Sequence, residues 1–218
     1  MRVLIIDTAL DACTAAVFED GRPLGVRTEL MARGHSERLG GFVRDAVAET
    51  GGGFETLDRI GVTVGPGSFT GLRVGLAFAQ GLGAALGLPV VGVSTLEALA
   101  RSADDGRGAT AAVIDARRSQ VYLQRFRNGA PVSKPEALSI EDATALLAEG
   151  DWKMTGSGAA LVGGSGEAAT TPAPAALAAL TAAHDPAANP PRPLYLRAPD
   201  ATPPTRLPGQ ARPVVLGL

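Results

Sequence analysis

The chain of 218 residues lacks most of the side chains on which thiol and metal chemistry depend. Cys13 is its only cysteine, which excludes an internal disulfide, a thiol redox pair and a zinc knuckle, and a single free thiol fits a reducing compartment. The two histidines, His35 and His184, have no spacing to other ligands that is typical of a zinc site. We therefore expect no metal, no cofactor and no catalytic triad.

An excess of positive charge is also missing. The formal net charge is -2 and the pI is near 5.7, so no global positive field would attract the chain to nucleic acid or to an anionic membrane. Any contact with RNA would be local or made through a partner. Only four apolar residues separate Arg2 from Asp7, which is too short for the apolar stretch of a signal peptide. We expect a cytoplasmic protein.

One apolar run has the length of a membrane span. In residues 74–93, Gln80 is the only polar side chain. Several glycines dilute this run, and Pro89 lies where a helix would end and a strand would begin. The pattern predicts a buried helix followed by a buried strand, and no membrane span.

Hydrophobic periodicity predicts an α/β protein with mixed sheets covered by helices. Strands are predicted over residues 2–8, 14–19, 23–29, 60–64, 89–93, 110–115 and 120–126. Helices are predicted over residues 36–50, 70–86 and 175–183, with Ser36 as a cap, and from the cap Ser139 through Leu147. Asp20-Gly21 and Asn128-Gly129 are typical hairpin turns.

The same pass along the chain predicts its domain organisation. Residues 1–105 are expected to form an N-terminal lobe and residues 106–200 a smaller C-terminal lobe. Residues 201–218 are expected to be a proline-rich tail, because eleven of the 16 prolines follow Thr171.

A glycine-rich loop is the most informative local feature. Residues 65–75 read Gly-Pro-Gly-Ser-Phe-Thr-Gly-Leu-Arg-Val-Gly, between a predicted strand and a predicted helix, the arrangement that holds phosphate in many proteins. The spacing is neither that of a dinucleotide fold nor that of a P-loop. Asp7 and Thr8 end the first strand, where nucleotide-binding folds place a carboxylate, but no glycine or nearby cation follows them. We interpret Asp7 and Thr8 as a degenerate nucleotide site; an aspartate here is also a common turn cap.

Small residues spaced by four mark one face of the second predicted helix. They are Gly71, Gly75, Ala79 and Gly83. Glycine inside a helix costs about 1 kcal/mol relative to alanine, so this face indicates a compensating close contact. Two interpretations stay open: packing on the chain's own sheet or first helix, or docking of another protein.

Five segments together resemble a known bacterial family, the TsaB (YeaZ) proteins. They are residues 5–8, 35–39, 65–75, 114–118 with 121–122, and 193–197. The resemblance covers residues 1 to about 200, and its most specific part is the nonapeptide at residues 65–73. It implies an actin-like ATPase fold (ASKHA, ribonuclease H-like) with two lobes. It also implies a role in making N6-threonylcarbamoyladenosine at position 37 of tRNAs that read codons beginning with A.

Within that family the protein is a non-catalytic partner of its paralogue TsaD, and the ATPase TsaE binds the pair. The resemblance therefore implies a TsaD heterodimer, TsaE binding and indirect contact with tRNA. We expect the helices predicted over residues 36–50 and 70–86 to dock TsaD and, when TsaD is absent, to form a homodimer. The predicted partner interface is His35, Leu39, Phe42, Val43, Gly71, Leu72, Gly75 and Ala79. The chain departs from the family pattern at Gly40-Gly41, inside the first helix.

The catalytic paralogue carries a metal-binding Asn-His-Leu-Glu-Gly-His pattern, and the matching stretch here starts at Ser94. Thr95 and Leu99 stand at the two histidine positions, and neither is a credible ligand. We therefore expect no enzyme activity. Two alternatives stay open: an ATP-dependent transferase or peptidase-like enzyme, and direct tRNA binding. The arginines for that binding would be Arg117, Arg118, Arg125 and Arg127.

Overall fold

Two five-stranded sheets organise the protein, whose computed structural model describes residues 1–104, 107–165 and 169–197. The first sheet contains β1 (Arg2–Asp7), β2 (Ala12–Glu19), β3 (Arg22–Leu30), β4 (Arg59–Gly65) and β5 (Val90–Ser94). Its strand order is β3-β2-β1-β4-β5; β1, β2 and β3 pair antiparallel, whereas β4 is parallel to β1 and β5. The mixed sheet and the predicted hairpin at Asp20-Gly21 are confirmed, and both turn residues have positive φ.

Side-chain alternation along β1 gives this sheet two apolar faces. Leu4 and Ile6 face a core closed by α1 (His35–Ala48) and α2 (Phe69–Leu86). Val3 and Ile5 face the opposite core, which is closed by α5 (Pro174–Ala183). The sheet is therefore covered on both sides.

Helix α5 lies against the first sheet, although its residues fall within the predicted smaller lobe of residues 106–200. The helix contacts β1, β2, β4 and β5 of the first sheet, and Leu177 and Ala178 belong to the same buried cluster as Val3 and Ile5. The physical reason for this difference is that the first sheet has a second apolar face, which α5 buries. The chain continues along this sheet, where Leu194 N–H donates to the Val64 carbonyl at 2.7 Å. The other lobe boundaries stay predictions, and the predicted tail lies outside the described residues.

The second sheet is smaller and contains β6 (Ala109–Arg117), β7 (Gln120–Arg127), β8 (Ala130–Pro131), β9 (Glu136–Ser139) and β10 (Lys153–Thr155). It packs with α3 (Thr95–Asp104) and α4 (Ile140–Ala148). The Asn128-Gly129 turn is confirmed, and so is Ser139 as the cap of α4, because its Oγ accepts from the Asp142 N–H at 3.0 Å. Sequence reasoning missed α3 and the three short strands β8, β9 and β10.

The start of α1 differs from the prediction. Gly34, in the left-handed region with φ 87°, is the N-cap of α1, so Ser36 lies inside the helix rather than at its cap. The helix runs unbroken through Gly40-Gly41. The apolar run at residues 74–93 forms most of α2 followed by β5, in the predicted order of helix and strand, but the helix is buried on one face only. Among the described residues, α2 is the one helix long and apolar enough to cross a membrane, and it packs one face on β4.

Candidate functional site

The glycine loop joins β4 to α2 and is held by its own backbone and by the turn after β1. The Ser68 N–H donates to the Ala9 carbonyl at 2.7 Å, and the Ser68 Oγ accepts from the Gly71 N–H at 3.3 Å. The Leu72 N–H donates to the Ser68 carbonyl at 2.9 Å. These N–H groups, which a phosphate loop would aim at its ligand, are thus bonded within the chain.

The turn after β1 also fills the space above the loop. A Cβ at Gly67 would overlap the Ala9 carbonyl, and a Cβ at Gly71 would overlap the Thr8 carbonyl. At Gly75 it would lie 2.5 Å from the Thr8 Oγ1, which itself donates to the Gly71 carbonyl at 2.7 Å. Glycine is required here because the chain's own backbone makes the close approach.

Asp7 ends β1 below this contact and is 2% exposed. Its Oδ1 accepts from the Ala9 N–H at 2.9 Å and from the Thr63 hydroxyl at 2.8 Å. Burial raises the pKa of this carboxyl group, although both hydrogen bonds oppose the rise. Asp7 therefore acts as a buried turn cap. In the part of the chain that the structure describes, no group of three or more His, Cys, Asp or Glu side chains could hold a metal.

A cleft cavity of about 390 Å³ lies where this turn faces the second sheet. Its wall from the second lobe includes Asp115 and Arg117, which bond to each other: the Arg117 N–H donates to the Asp115 Oδ1 at 2.7 Å, and the side chains form a 3.2 Å ion pair. Asp11 and Tyr122 also line the cavity. The cavity therefore lies between the two sheets, next to the closed glycine loop.

The two positions matching the paralogue's metal ligands lie in a hydrophobic core. Thr95 and Leu99 occupy successive turns of α3 and are both fully buried. Leu99 packs with Leu96, Ile114 and Phe126 in the core beneath the second sheet.

Two arginines of the tRNA-binding alternative share one face of β7, as predicted. The Cζ atoms of Arg125 and Arg127 lie 5.5 and 5.0 Å from the centre of the Trp152 ring.

Most residues of the predicted partner interface face the chain's own sheet, which corrects that prediction. Seven of them are buried: His35, Leu39, Val43, Gly71, Leu72, Gly75 and Ala79. The eighth, Phe42, is partly buried, and the Arg38 guanidinium lies 5.2 Å from its ring centre. The spacing by four in α2 thus serves packing against the first sheet, at β1 with the turn that follows it, β4 and β5, which is the first of the two interpretations left open above.

The same two helices carry a different set of small and apolar residues, called here the helix-pair face: Gly40, Gly41, Val74, Phe78, Gly81 and Leu82. Gly40 and Gly81 are exposed, and the other four are partly buried. The helices meet at Gly40, where a Cβ would lie 3.7 Å from the Phe78 ring. A Cβ at Gly41 or Gly81 would have no neighbour within 4 Å. Sequence reasoning missed Phe78, although Val74, Phe78 and Leu82 recur every four residues.

Comparisons with known proteins agree on one group. Residues 16–154 match the sequence model of the family described as tRNA N6-adenosine threonylcarbamoyltransferase, TsaD. The tRNA threonylcarbamoyladenosine biosynthesis protein TsaB of Escherichia coli K12 is 38% identical over 170 residues, 72% of each chain. An uncharacterized protein of Mycobacterium tuberculosis H37Rv is 41% identical over 207 residues, 92% of this chain and 94% of that one. The solved structure of YeaZ from Pseudomonas aeruginosa superposes with a TM-score of 0.76 at 31% identity, covering 89% of this chain and 99% of that one.

Proposed function

Because the chain belongs to the TsaB (YeaZ) family and has its two-lobed, actin-like ATPase fold, we propose that it is a scaffold subunit in tRNA threonylcarbamoyladenosine biosynthesis. In this role it carries no chemistry itself and docks a TsaD-type catalytic subunit, which modifies position 37 of the tRNA. An ATPase of the TsaE type binds the pair, and tRNA contacts the chain only through the complex.

The observation that carries this proposal is the closed glycine loop. The carbonyl groups of Thr8 and Ala9 occupy the space next to Gly71 and Gly67, and Asp7 is buried as a turn cap. A nucleotide phosphate would have to displace backbone rather than water. A fold that elsewhere uses nucleotides is thus present without an open phosphate loop, which favours a structural role over catalysis.

The helix-pair face is the docking surface in this proposal. It is apolar and lacks long side chains at Gly40, Gly41 and Gly81, so another pair of helices can approach closely. In this proposal the occupant is a TsaD-type subunit, and a second copy of the chain takes its place when TsaD is absent. Sedimentation at micromolar concentration tests the homodimer: wild type should sediment as a dimer, and a monomer would contradict this part.

Co-purification with TsaD from the same organism tests the docking surface. We expect Gly81→Arg and Gly41→Arg each to abolish the complex, because a long charged side chain would stand on the face. Neither Cβ has a neighbour within 4 Å among the described residues, so both variants should fold. The matched control is Ala145→Arg, at an exposed position of α4 in the second lobe.

The same variants connect docking to function in cells. When the chromosomal copy is depleted, wild type and Ala145→Arg should restore threonylcarbamoyladenosine in tRNA, measured by mass spectrometry of nucleosides. Gly81→Arg should fail to restore it. A complex that survives both glycine substitutions would show that the helix-pair face is not the interface.

The alternative is an enzyme, either an ATP-dependent transferase or a peptidase-like protein. Calorimetric titration of the isolated chain with ATP and magnesium separates the two readings. The scaffold role predicts no tight binding, since the Ala9 and Thr8 carbonyl groups lie against Gly67 and Gly71 of the glycine loop. Tight, magnesium-dependent binding that is lost in Asp7→Asn would instead support the enzyme.

A further inference from the structure

Two arginines and a tryptophan form a cationic cluster at one end of the second sheet. The cluster consists of Arg125, Arg127 and Trp152, and it is called here the arginine cluster. It belongs neither to the cleft cavity nor to the helix-pair face. We propose that the arginine cluster contacts the phosphate backbone of the tRNA within the assembled complex. This inference rests on the proposed function, because the complex brings the RNA to the chain.

Three neighbouring strands build the cluster. Arg125 and Arg127 are two residues apart on β7 and therefore lie on the same face of the sheet. On β6 they stand opposite Ala111 and Ala109. Trp152 directly precedes β10, which pairs with β6 on its other side. Because the strand between them carries only methyl groups here, the indole ring reaches across β6 to both arginines.

The chain provides no counter-charge for these two guanidinium groups. Among the residues that the structure describes, neither arginine forms an ion pair, although the exposed Asp151 directly precedes Trp152. The Arg125 Nε is buried, so this side chain is held against the protein. Two cations held beside one ring repel each other, and an exposed cation–π contact contributes only about 0.5–1 kcal/mol. The cluster therefore favours an anionic ligand.

The geometry of the cluster fits a chain of phosphates. Residues two apart on a strand are separated by about 6.6 Å, which is close to the separation of neighbouring phosphates along an RNA strand. The paired donors of arginine also match phosphate oxygens. The two arginines cover the Trp152 ring on their side, so the ring supports them and does not offer that face to a base. The contact is therefore independent of base sequence.

The net charge of the chain explains why this contact belongs to the complex. At a net charge of -2, the isolated chain has no long-range attraction for RNA. Two phosphate contacts by themselves give weak binding. A catalytic subunit that holds the tRNA would bring its backbone to the cluster, so that the second contact forms at a high effective concentration. The cluster thus adds affinity to the complex without binding RNA on its own.

Filter binding of tRNA to the complex of this chain with TsaD, at several salt concentrations, tests the arginine cluster. Arg127→Ala should lower the affinity roughly three- to tenfold. It should also reduce the slope of log K against log salt by about 0.7–0.9, because one phosphate contact is lost. Arg125→Ala should act in the same way. Arg127→Lys should keep the wild-type slope, since it keeps the charge.

The first sheet offers a matched control. Arg22, like Arg127, is exposed and stands beside a two-residue hairpin turn. Arg22→Ala removes the same charge from the other lobe, and it should leave both the affinity and the slope unchanged. An equal effect of Arg22→Ala and Arg127→Ala would show a general charge effect and would overturn the proposal. If Arg125→Ala does not fold, the exposed Arg127 decides.

Co-purification of each variant with TsaD and TsaE separates this proposal from the scaffold role. We expect all variants to form the complex as wild type does. If they do so and Arg127→Ala binds tRNA with wild-type affinity and slope, the arginine cluster is not an RNA contact. Loss of TsaD or TsaE in place of RNA would assign the cluster to a protein partner and would also overturn the proposal. If wild type itself formed no complex with TsaD, the scaffold role would be wrong, and this contact with it.

Discussion

At the scale of single residues, the glycines of α2 are of two kinds that sequence spacing does not distinguish. Gly71 lies against the Thr8 carbonyl, so any larger residue must displace backbone. Gly81 faces open space, and a Cβ there has no neighbour within 4 Å. The first glycine is needed by the fold of this chain, whereas the second leaves room for something outside it.

This difference predicts opposite effects of one substitution at two positions of one helix. Gly71→Ala should lower the free energy of unfolding by about 1–3 kcal/mol, because the added methyl group overpacks against backbone. Gly81→Ala should raise it by about 0.4–1 kcal/mol, because alanine restricts the unfolded chain and favours the helix. Urea unfolding measures both. Equal effects would show that the two sites do not differ in packing.

Cys13 gives a second prediction at this scale. The thiol is fully buried, and burial raises its pKa to about 11. Since the thiolate is the reactive form, native protein at neutral pH should not react with Ellman's reagent, whereas denatured protein should react once per chain. Rapid labelling of the native chain would contradict the buried position of Cys13 on β2.

At the scale of elements, an ion pair connects the end of α5 to α3. The His184 Nε2 lies 3.1 Å from the Glu97 Oε1, and this hydrogen bond raises the pKa of His184 despite partial burial. Arg59 reinforces the same end of α5, because its Nη1 donates to the His184 carbonyl at 2.9 Å. The end of α5 is thereby held against both α3 and β4.

The raised pKa of His184 gives a pH dependence of stability with a defined sign. The folded chain binds this proton more tightly than the unfolded chain, so the contribution is fully present below the ordinary pKa of 6.5 and is lost as the pH rises through the raised value. We expect roughly 1 kcal/mol from this source. Urea unfolding on both sides of 6.5 should show the loss in wild type and not in His184→Gln. Parallel pH curves for the two proteins would contradict the prediction.

At the scale of the whole molecule, α5 belongs with the first sheet although it follows the second in the chain. Leu177 packs with Val3 and Ile5 of the first lobe, whereas Leu147 of α4 packs with Val113 and Leu123 of the second. The chain thus crosses to the second lobe after β5 and returns before its described end. Each lobe has a core of its own.

Hydrogen exchange of two matched cavity variants tests this organisation. Leu177→Ala and Leu147→Ala should each cost about 2–5 kcal/mol, because both side chains are almost completely buried. Leu177→Ala should increase exchange mainly in β1 and β4, and Leu147→Ala mainly in β6 and β7. If Leu177→Ala instead loosened the second sheet alone, α5 would have to be reassigned to that lobe.

The sequence by itself determined the long elements and their class, because they have clear periodicity and local turn chemistry. Strands β1 to β7 and helices α1, α2, α4 and α5 follow from alternation, from the cap Ser139, and from turns such as Asn128-Gly129. It also marked the glycine loop and the lack of a plausible ligand at Thr95. The short strands β8 to β10 carry too few residues for a periodic signal, and α3 lacks a distinctive one.

Only the tertiary structure decided what each apolar stripe covers. A spacing of four residues indicates that Gly71, Gly75 and Ala79 share a face of the helix. It does not show whether that face contacts the chain's own β1 or another protein. The answer depends on contacts between residues far apart in sequence, such as Gly71 with Thr8 and Gly61 with Thr181. Periodicity is a property of a segment, whereas burial is a property of the packed molecule. For that reason the proposed docking surface lies on the helix-pair face and not at Leu39 and Leu72, which are buried.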